Sequence, residues 1–304
     1  MFGFYDTYMK LFGLTITYYG LFVALGMAAG VFVAYKLAKL RGFKGEDFLI
    51  AACYIIPLAI LGARLYYVIF SDQKYTFLEF FQIWKGGLAV YGGVIGGALA
   101  VALYCLIHKK NFFKMADIAV VALLLGQGIG RIGCYFGGCC YGIEVTNESM
   151  KWFPLSTQID GVWHYSTFFY ESFCCFIFFA LFMYLIIKKI KITGVMTGLY
   201  LVCYGIARCV IETFRGDSLY IGAVKVSQLL SGLLIAVGVI MILLSLDINK
   251  NRESDIDYKS QNKVQKQETA TVETQAINIE QSVESETQQN DKTDDEGIKS
   301  DTDD

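Results

Sequence analysis

Seven long apolar stretches constrain this chain more than any other feature of its sequence. A helix that crosses the roughly 30 Å hydrocarbon core of a bilayer needs about 20 mostly apolar residues. The stretches fall near residues 15–37, 48–70, 87–107, 115–133, 166–187, 193–214 and 226–247. Charged residues make up 18% of the chain and the mean hydropathy is +0.46, whereas an average soluble domain is roughly 25% charged. The sequence therefore predicts an all-α, polytopic membrane protein with seven transmembrane helices.

Basic residues follow every second apolar stretch. They are Lys36, Lys39, Arg41 and Lys44, then His108, Lys109, Lys110 and Lys114, then Lys188, Lys189 and Lys191, and finally Lys250 and Arg252. Cytoplasmic connections carry an excess of Lys and Arg. We therefore expect the N-terminus outside and the C-terminus in the cytoplasm.

A change of composition at residue 250 predicts two regions, a membrane domain over 1–249 and a tail over 250–304. The tail holds 7 basic and 15 acidic residues, which leaves 19 basic and 13 acidic residues in the membrane domain. A segment this polar buries too little apolar surface to fold alone. We therefore expect a disordered cytoplasmic tail, with an acidic docking segment as the alternative. The membrane domain has no basic stripe with interleaved aromatics, which excludes nucleic acid as an expected partner.

Charged residues inside predicted spans are costly and usually functional. They cluster toward the predicted outer ends of their spans and comprise Arg64, Arg131, Glu171, Arg208, Glu212 and Arg215. Arg208 and Glu212 are four residues apart and share a helix face, where they can pair. Arg215, three residues further on, lies on the same face and leaves one positive charge over. Guanidinium groups match phosphate oxygens bidentately. The cluster predicts a phosphate site, with snorkelling to the headgroup layer as the alternative for Arg64 and Arg215.

Two glycine-rich stretches accompany these charges. In residues 86–97, glycine pairs flank Tyr91, and the spacing predicts helix packing at Gly93 and Gly97 and either a ligand-facing or an interfacial role for Tyr91. Residues 126–142 hold too much glycine for a plain helix. We expect the fourth span to unravel there into a loop whose N–H groups approach an anion, with Arg131 at its mouth.

Three of the nine cysteines, Cys134, Cys139 and Cys140, lie in that second stretch on the predicted outer side. An oxidising exterior makes a disulfide from Cys134 to one of the pair about as plausible as three free thiols. The adjacent Cys139 and Cys140 lack the usual zinc-ligand spacing, and His164 is the one nearby histidine, which disfavours zinc. A thiol nucleophile would need a base or a lowered pKa.

The motifs together resemble those of the prolipoprotein diacylglyceryl transferases, from about residue 10 to 247. Gly130-Arg131-Ile132-Gly133, with Gly142 nine residues on, is similar to the family signature Gly-Arg-x-Gly-Asn-Phe-x-Asn-Gly-x-x-x-Gly. Residues 87–97 are similar to an element in which the family has histidine or tyrosine at the place of Tyr91. Shorter matches are Tyr18-Tyr19-Gly20, Gly62-Ala63-Arg64-Leu65, Tyr170-Glu171 and residues 208–215, which resemble Arg-Phe-x-x-Glu-Phe-x-Arg.

The resemblance implies an enzyme of the bacterial plasma membrane that transfers the diacylglyceryl group of phosphatidylglycerol to the lipobox cysteine of an exported prolipoprotein and releases glycerol phosphate. It needs no metal or other cofactor. Arg131 and Arg208 would hold the phosphate, and Tyr91 would accept the thiol proton or orient the thiol. Residues expected to bind the substrates are Tyr19, Arg64, Gly92, Gly93, Gly133, Cys134, Gly142, Glu171, Glu212 and Arg215.

The chain departs from the family pattern on the side expected to meet the acceptor. Cys134 and Gly137 stand where the family has asparagines, and Ser166-Thr167-Phe168 replaces Pro-Ser-Gln. These changes leave two alternatives, namely transfer to another acceptor thiol, and a non-catalytic protein that binds or transports lipid in the same arginine-lined cavity.

Overall fold

The computed structural model describes residues 8–11, 14–71, 75–82, 86–188, 190, 192–216, 220–221, 224–225 and 227–251. Within them, seven helices are long and apolar enough to cross a membrane. They are α1 (Tyr18–Leu37, continued by a 3-10 turn to Arg41), α2 (Gly45–Phe70), α4 (Val90–Ile107), α5 (Phe112–Gly137), α6 (Thr167–Lys188), α7 (Val195–Glu212) and α8 (Ser227–Asn251). The seven predicted spans and the all-α class are confirmed.

Short elements connect these helices. A one-turn helix, α3 (Phe77–Phe80), follows α2. The described residues also form three antiparallel hairpins that the sequence did not predict, namely β1–β2 (Tyr8–Leu11, Leu14–Thr17), β3–β4 (Ser156–Ile159, Val162–Tyr165) and β5–β6 (Tyr220–Ile221, Val224–Lys225). The β3–β4 hairpin leads into α6, and so it lies at the end of the bundle that carries Glu171.

The prediction that the fourth span unravels is wrong, because α5 remains helical through Gly137. Its glycines lie against neighbouring helices instead of opening the backbone. A Cβ on Gly126 would come within 3.1 Å of the Gly26 carbonyl oxygen of α1, and one on Gly133 within 3.1 Å of the Tyr19 carbonyl oxygen. An apolar surrounding requires backbone hydrogen bonds to stay paired, and small residues let two helices approach closely. Both effects outweigh the low helix propensity of glycine.

Glycines also bring α2 and α4 together, but not the predicted ones. A Cβ on Gly96 would lie 2.5 Å from the Leu58 carbonyl oxygen, whereas the nearest atom to a Cβ on Gly97 is 3.7 Å away. Gly92 is buried against Gly62, and Gly93 has ordinary contact distances to Ala59 and Ala63. The close-packing positions are therefore Gly92 and Gly96, one residue before the predicted Gly93 and Gly97.

This difference yields a matched pair of variants. We expect Gly96→Ala to lower the free energy of unfolding by about 1–3 kcal/mol, because the added methyl group would overpack the α2–α4 interface. Gly97→Ala adds the same methyl group where there is room and should be neutral or slightly stabilising. Thermal unfolding of both proteins in detergent measures the difference, and equal melting temperatures would contradict the packing described here.

Contacts divide the chain into two units, residues 1–246 and 247–304. The functional residues discussed below belong to the first unit. Of the second unit, the structure describes the last turn of α8, through Asn251. The predicted disordered tail therefore falls, from residue 252 onward, outside the described residues.

Candidate functional site

Glu171 joins two arginines from neighbouring helices at one end of the bundle. One carboxylate oxygen lies 2.7 Å from Nη2 of Arg131 on α5, and the other oxygen pairs with Nη1 of Arg208 on α7. Nη2 of Arg208 also lies 3.1 Å from a carboxylate oxygen of Glu212, one turn further along α7. Side-chain exposure is 7% for Glu171 and 1% for Glu212. These four residues form an ionic network that spans α5, α6 and α7, with both carboxylates buried and both arginines partly exposed.

The network adds Glu171 and Arg131 to the charges that the sequence placed together on one helix face. The sequence count covered Arg208, Glu212 and Arg215 and left one positive charge over. Because Glu171 bridges both arginines, the formal charges of the four residues balance. Each guanidinium has five N–H donors, and these contacts together use both Nη atoms of Arg208. An incoming phosphate must therefore share the arginines with the carboxylates or displace them.

A pocket between α6 and α7 reaches this network. Apolar and charged side chains line it together, namely Glu171, Cys174, Cys175, Phe178, Tyr204, Ala207, Arg208 and Ile211. Hydroxyl and amide groups nearby also bind one another, since Gln127 Nε2 donates to Tyr200 Oη at 3.0 Å and Tyr200 stacks on Tyr204. The pocket is too small to enclose a lipid, and what it offers is an apolar surface beside paired charges.

The three cysteines that the sequence singled out lie beside Arg131. Their Sγ atoms are all within 4.8 Å of one another, and Nη1 of Arg131 donates to Cys140 Sγ at 3.6 Å. Cys134 is buried, whereas Cys139 and Cys140 are partly exposed. All nine cysteines are within the described residues and are free thiols.

Cys140 is the thiol of this cluster that ionises most readily. Hydrogen bonds from the thiols of Cys134 and Cys139 lower the pKa of Cys140. The positive charges of Arg131 and Arg215 act in the same direction, while burial opposes them. A thiolate with such neighbours is both a better nucleophile and a better metal ligand than a neutral thiol.

Arg64 lies apart from this network. Its side chain is almost fully buried, and its guanidinium donates to four backbone carbonyl oxygens, at distances of 2.7–3.1 Å, in Glu79, Phe80, Gly86 and Gly87. It therefore does not snorkel but holds together the described parts of the connection between α2 and α4.

Tyr91 lies in the first turn of α4 and is 41% exposed. Its ring centroid is 6.2 Å from that of Tyr66 on α2. Among the residues that the structure describes, no hydrogen bond, ion pair or ring contact joins Tyr91 to Arg131 or Arg208. The structure thus places the predicted catalytic tyrosine with α2 and the predicted catalytic arginines with α6.

The other predicted residues mostly shape the site. Gly142 donates its N–H to the Tyr165 carbonyl at 2.8 Å and forms a β-bridge with Arg215, so it ties the loop after α5 to β4 and to the end of α7. A Cβ there would come within 2.5 Å of the Phe214 carbonyl oxygen, which requires glycine. The partly exposed ring of Tyr19 lies beside Gly137, as does Cys139 Sγ.

Sequence reasoning missed two residues that the structure makes prominent. Tyr204 lies four residues before Arg208 and lines the same pocket, and the i, i+4 spacing could have revealed it. Asp117 is fully buried near the opposite end of α5 and lies 3.5 Å from Arg41. It was a charged residue within a predicted span, and the same criterion that selected Arg131 could have selected it.

Comparison with known proteins agrees with the geometry. The family model described as prolipoprotein diacylglyceryl transferase matches residues 6–244. A phosphatidylglycerol–prolipoprotein diacylglyceryl transferase of Finegoldia magna is 42% identical over 236 residues, which cover 76% of this chain and 92% of the relative. A protein of the same name from Clostridium botulinum (strain Loch Maree) is 38% identical over 75% of this chain and 92% of its own length. One from Clostridium perfringens, numbered 1 there, is 35% identical over 79% of this chain and 94% of its own length.

Proposed function

The chain belongs to the prolipoprotein diacylglyceryl transferase family, and we propose that it transfers the diacylglyceryl group of phosphatidylglycerol to the thiol of a lipobox cysteine in an exported prolipoprotein, releasing glycerol phosphate. It does so as a multi-pass protein of the bacterial plasma membrane. The basic connections favour an orientation in which the end bearing Glu171 faces outward, where exported precursors emerge.

The observation that carries this proposal is the ionic network of Arg131, Glu171, Arg208 and Glu212 beside an apolar-lined pocket. The lipid donor combines a phosphate with acyl chains, and the site offers groups suited to each part. Arginine binds phosphate through two parallel hydrogen bonds, and such bonds are stronger where water is excluded.

The arginines have a defined task in the reaction. As the acceptor sulfur forms its bond to the glyceryl carbon, the bond from that carbon to the phosphate oxygen breaks and its electron pair moves onto the leaving phosphate. Arg131 and Arg208 stabilise the growing negative charge. Glu171 and Glu212 hold both guanidinium groups in place before the lipid arrives. The thiol proton is lost before or during attack, and Tyr91 stays our candidate for accepting it or for orienting the acceptor.

Transfer can be tested with the purified full chain in vesicles that contain phosphatidylglycerol with labelled acyl chains. With a lipobox peptide we expect label on the peptide and release of glycerol phosphate. A peptide with serine in place of the lipobox cysteine should stay unlabelled. Saturable lipid binding without transfer would instead support the binding or transport alternative, and labelling confined to thiols outside a lipobox would support another acceptor.

A further inference from the structure

The three-cysteine cluster arises from an unusual chain reversal at the end of α5. Gly138 adopts a left-handed conformation (φ 57°), and the Cys139 N–H donates to the Cys134 carbonyl at 3.2 Å, which closes the last turn of the helix. Cys140 itself has a φ of 59°. Glycine favours this region and other residues seldom adopt it. The reversal brings two adjacent thiols back over a third, an arrangement that the sequence spacing did not predict.

We propose that Cys134, Cys139 and Cys140 bind a zinc ion, and that the thiolate of the acceptor cysteine occupies its open fourth coordination position. This proposal rests on the proposed transfer function. Zinc–thiolate bonds of about 2.3 Å place tetrahedral sulfur ligands about 3.8 Å apart. The three Sγ atoms already lie within 4.8 Å of one another, so each pair would need to close by about 1 Å or less.

Two neighbouring features suit a bound cation with three thiolates. The cluster sits at the C-terminal end of α5, where the helix dipole favours positive charge. A zinc ion with three thiolates carries a net charge of −1, and the Arg131 guanidinium is 3.6 Å from Cys140 Sγ to offset it. Groups that hydrogen-bond to metal ligands in this way orient and stabilise those ligands.

The position of Arg131 gives the metal a chemical role. Its Nη1 contacts Cys140 and its Nη2 contacts Glu171, so the thiol cluster and the proposed phosphate site share one guanidinium. Catalytic zinc sites keep one position open, and a coordinated thiol loses its proton. The acceptor cysteine would bind there as a thiolate and release its proton to solvent, which leaves Tyr91 the second of its two candidate roles, orienting the acceptor.

The transfer step then balances without a further reactant. A lone pair of the bound sulfur forms the new sulfur–carbon bond, and the carbon–oxygen bond breaks with its electron pair going to the phosphate held by Arg131. The product thioether is neutral, so zinc holds it less strongly than the thiolate and releases it. The cysteine that replaces the family's asparagine at position 134 thus belongs to a changed way of binding the acceptor.

Metal content of the purified full-length protein tests the site itself. We expect about one zinc ion per chain in protein kept reduced during purification. Cys134→Ser, Cys139→Ser and Cys140→Ser should each lower zinc binding about tenfold or more. Cys53→Ser, on α2 and outside the cluster, serves as the matched control and should keep its metal. Metal-free but active wild-type protein, or a disulfide among the three cysteines in that protein, would overturn the proposal.

Substitution with cobalt(II) tests the acceptor role without any lipid. Adding a lipobox peptide should raise the sulfur-to-cobalt charge-transfer absorbance, whereas the peptide with serine at the cysteine should leave it unchanged. An unchanged spectrum with the thiol peptide would overturn acceptor binding at the metal. If the serine variants fail to fold, chelation of the wild-type protein followed by zinc addition replaces them, and transfer that is lost and then restored is the expected result.

These measurements separate failure of the metal proposal from failure of the proposed function. Undiminished transfer by metal-free protein overturns the metal proposal and leaves the function standing. A cobalt spectrum that responds to the thiol peptide, in a protein that transfers no lipid, supports the metal site and contradicts the proposed reaction.

Discussion

Arg208→Ala is expected to lower kcat/KM for diacylglyceryl transfer about 10²–10³-fold, the effect of losing one donor to a developing negative charge. Arg208→Lys should recover little of that loss, because an ammonium group cannot reproduce the planar fork of the guanidinium. Arg208 now holds both Glu171 and Glu212, and lysine would engage them less well. The same pair of substitutions at Arg131 should behave alike, since Glu171 couples the two arginines.

Two measurements make this prediction specific to phosphate binding. Inhibition by added glycerol phosphate should weaken in Arg208→Ala in parallel with activity, which a purely structural defect in correctly folded protein would not cause. Lys151→Ala provides the control, because Lys151 lies in the loop between α5 and α6 and pairs with the exposed Glu148. Lys151→Ala should keep wild-type activity. Robust transfer by Arg208→Lys would argue against bidentate binding.

The helices were predictable because the bilayer sets both their length and their composition. Seven apolar stretches needed no periodicity argument, and all seven are helices that could span a membrane. Helix packing was harder to predict, since apolar residues face lipid as well as protein. Which of two neighbouring glycines touches the next helix depends on how each helix is rotated, and so Gly96 was mistaken for Gly97.

The site was predictable in its residue types but not in its connections. A charged side chain within the bilayer has a high free-energy cost, which is enough to single it out in the sequence. That criterion found Arg131, Arg208 and Glu171. It could not tell that Glu171 would bridge both arginines from a third helix, or that Arg64 would instead bind backbone carbonyls. Partners far apart in sequence are set by the tertiary packing of helices.

The cysteine cluster illustrates a limit of motif spacing. In the usual zinc motifs, two or more residues separate neighbouring cysteine ligands, and an ordinary turn brings the two thiols together. Here the convergence depends on two left-handed residues, Gly138 and Cys140, one on each side of Cys139. Such conformations follow from the closing of a helix end, which the prediction of an unravelled loop had excluded.

Asp117→Ala is expected to cost about 3–5 kcal/mol of stability, the usual effect of removing one partner from a buried ion pair. One carboxylate oxygen accepts the Gly194 N–H at 2.8 Å and the other accepts the N–H and hydroxyl of Thr197 at 3.0 and 2.9 Å, so that Asp117 caps α7 from a neighbouring helix. Removing it leaves these donors and the Arg41 guanidinium, 3.5 Å away, without the carboxylate in a buried position.

The transfer activity of Asp117→Ala should show that Asp117 is not part of the arginine site. Asp117 and Arg131 are fourteen residues apart on α5, about 21 Å along the helix axis, so the fraction of Asp117→Ala that remains folded should transfer lipid at the wild-type rate. Thermal unfolding in detergent measures the stability, and Glu148→Ala, which breaks an exposed pair, should change it by no more than about 1 kcal/mol. An Asp117→Ala protein that melts at the wild-type temperature would mean that the carboxylate does not hold the start of α7.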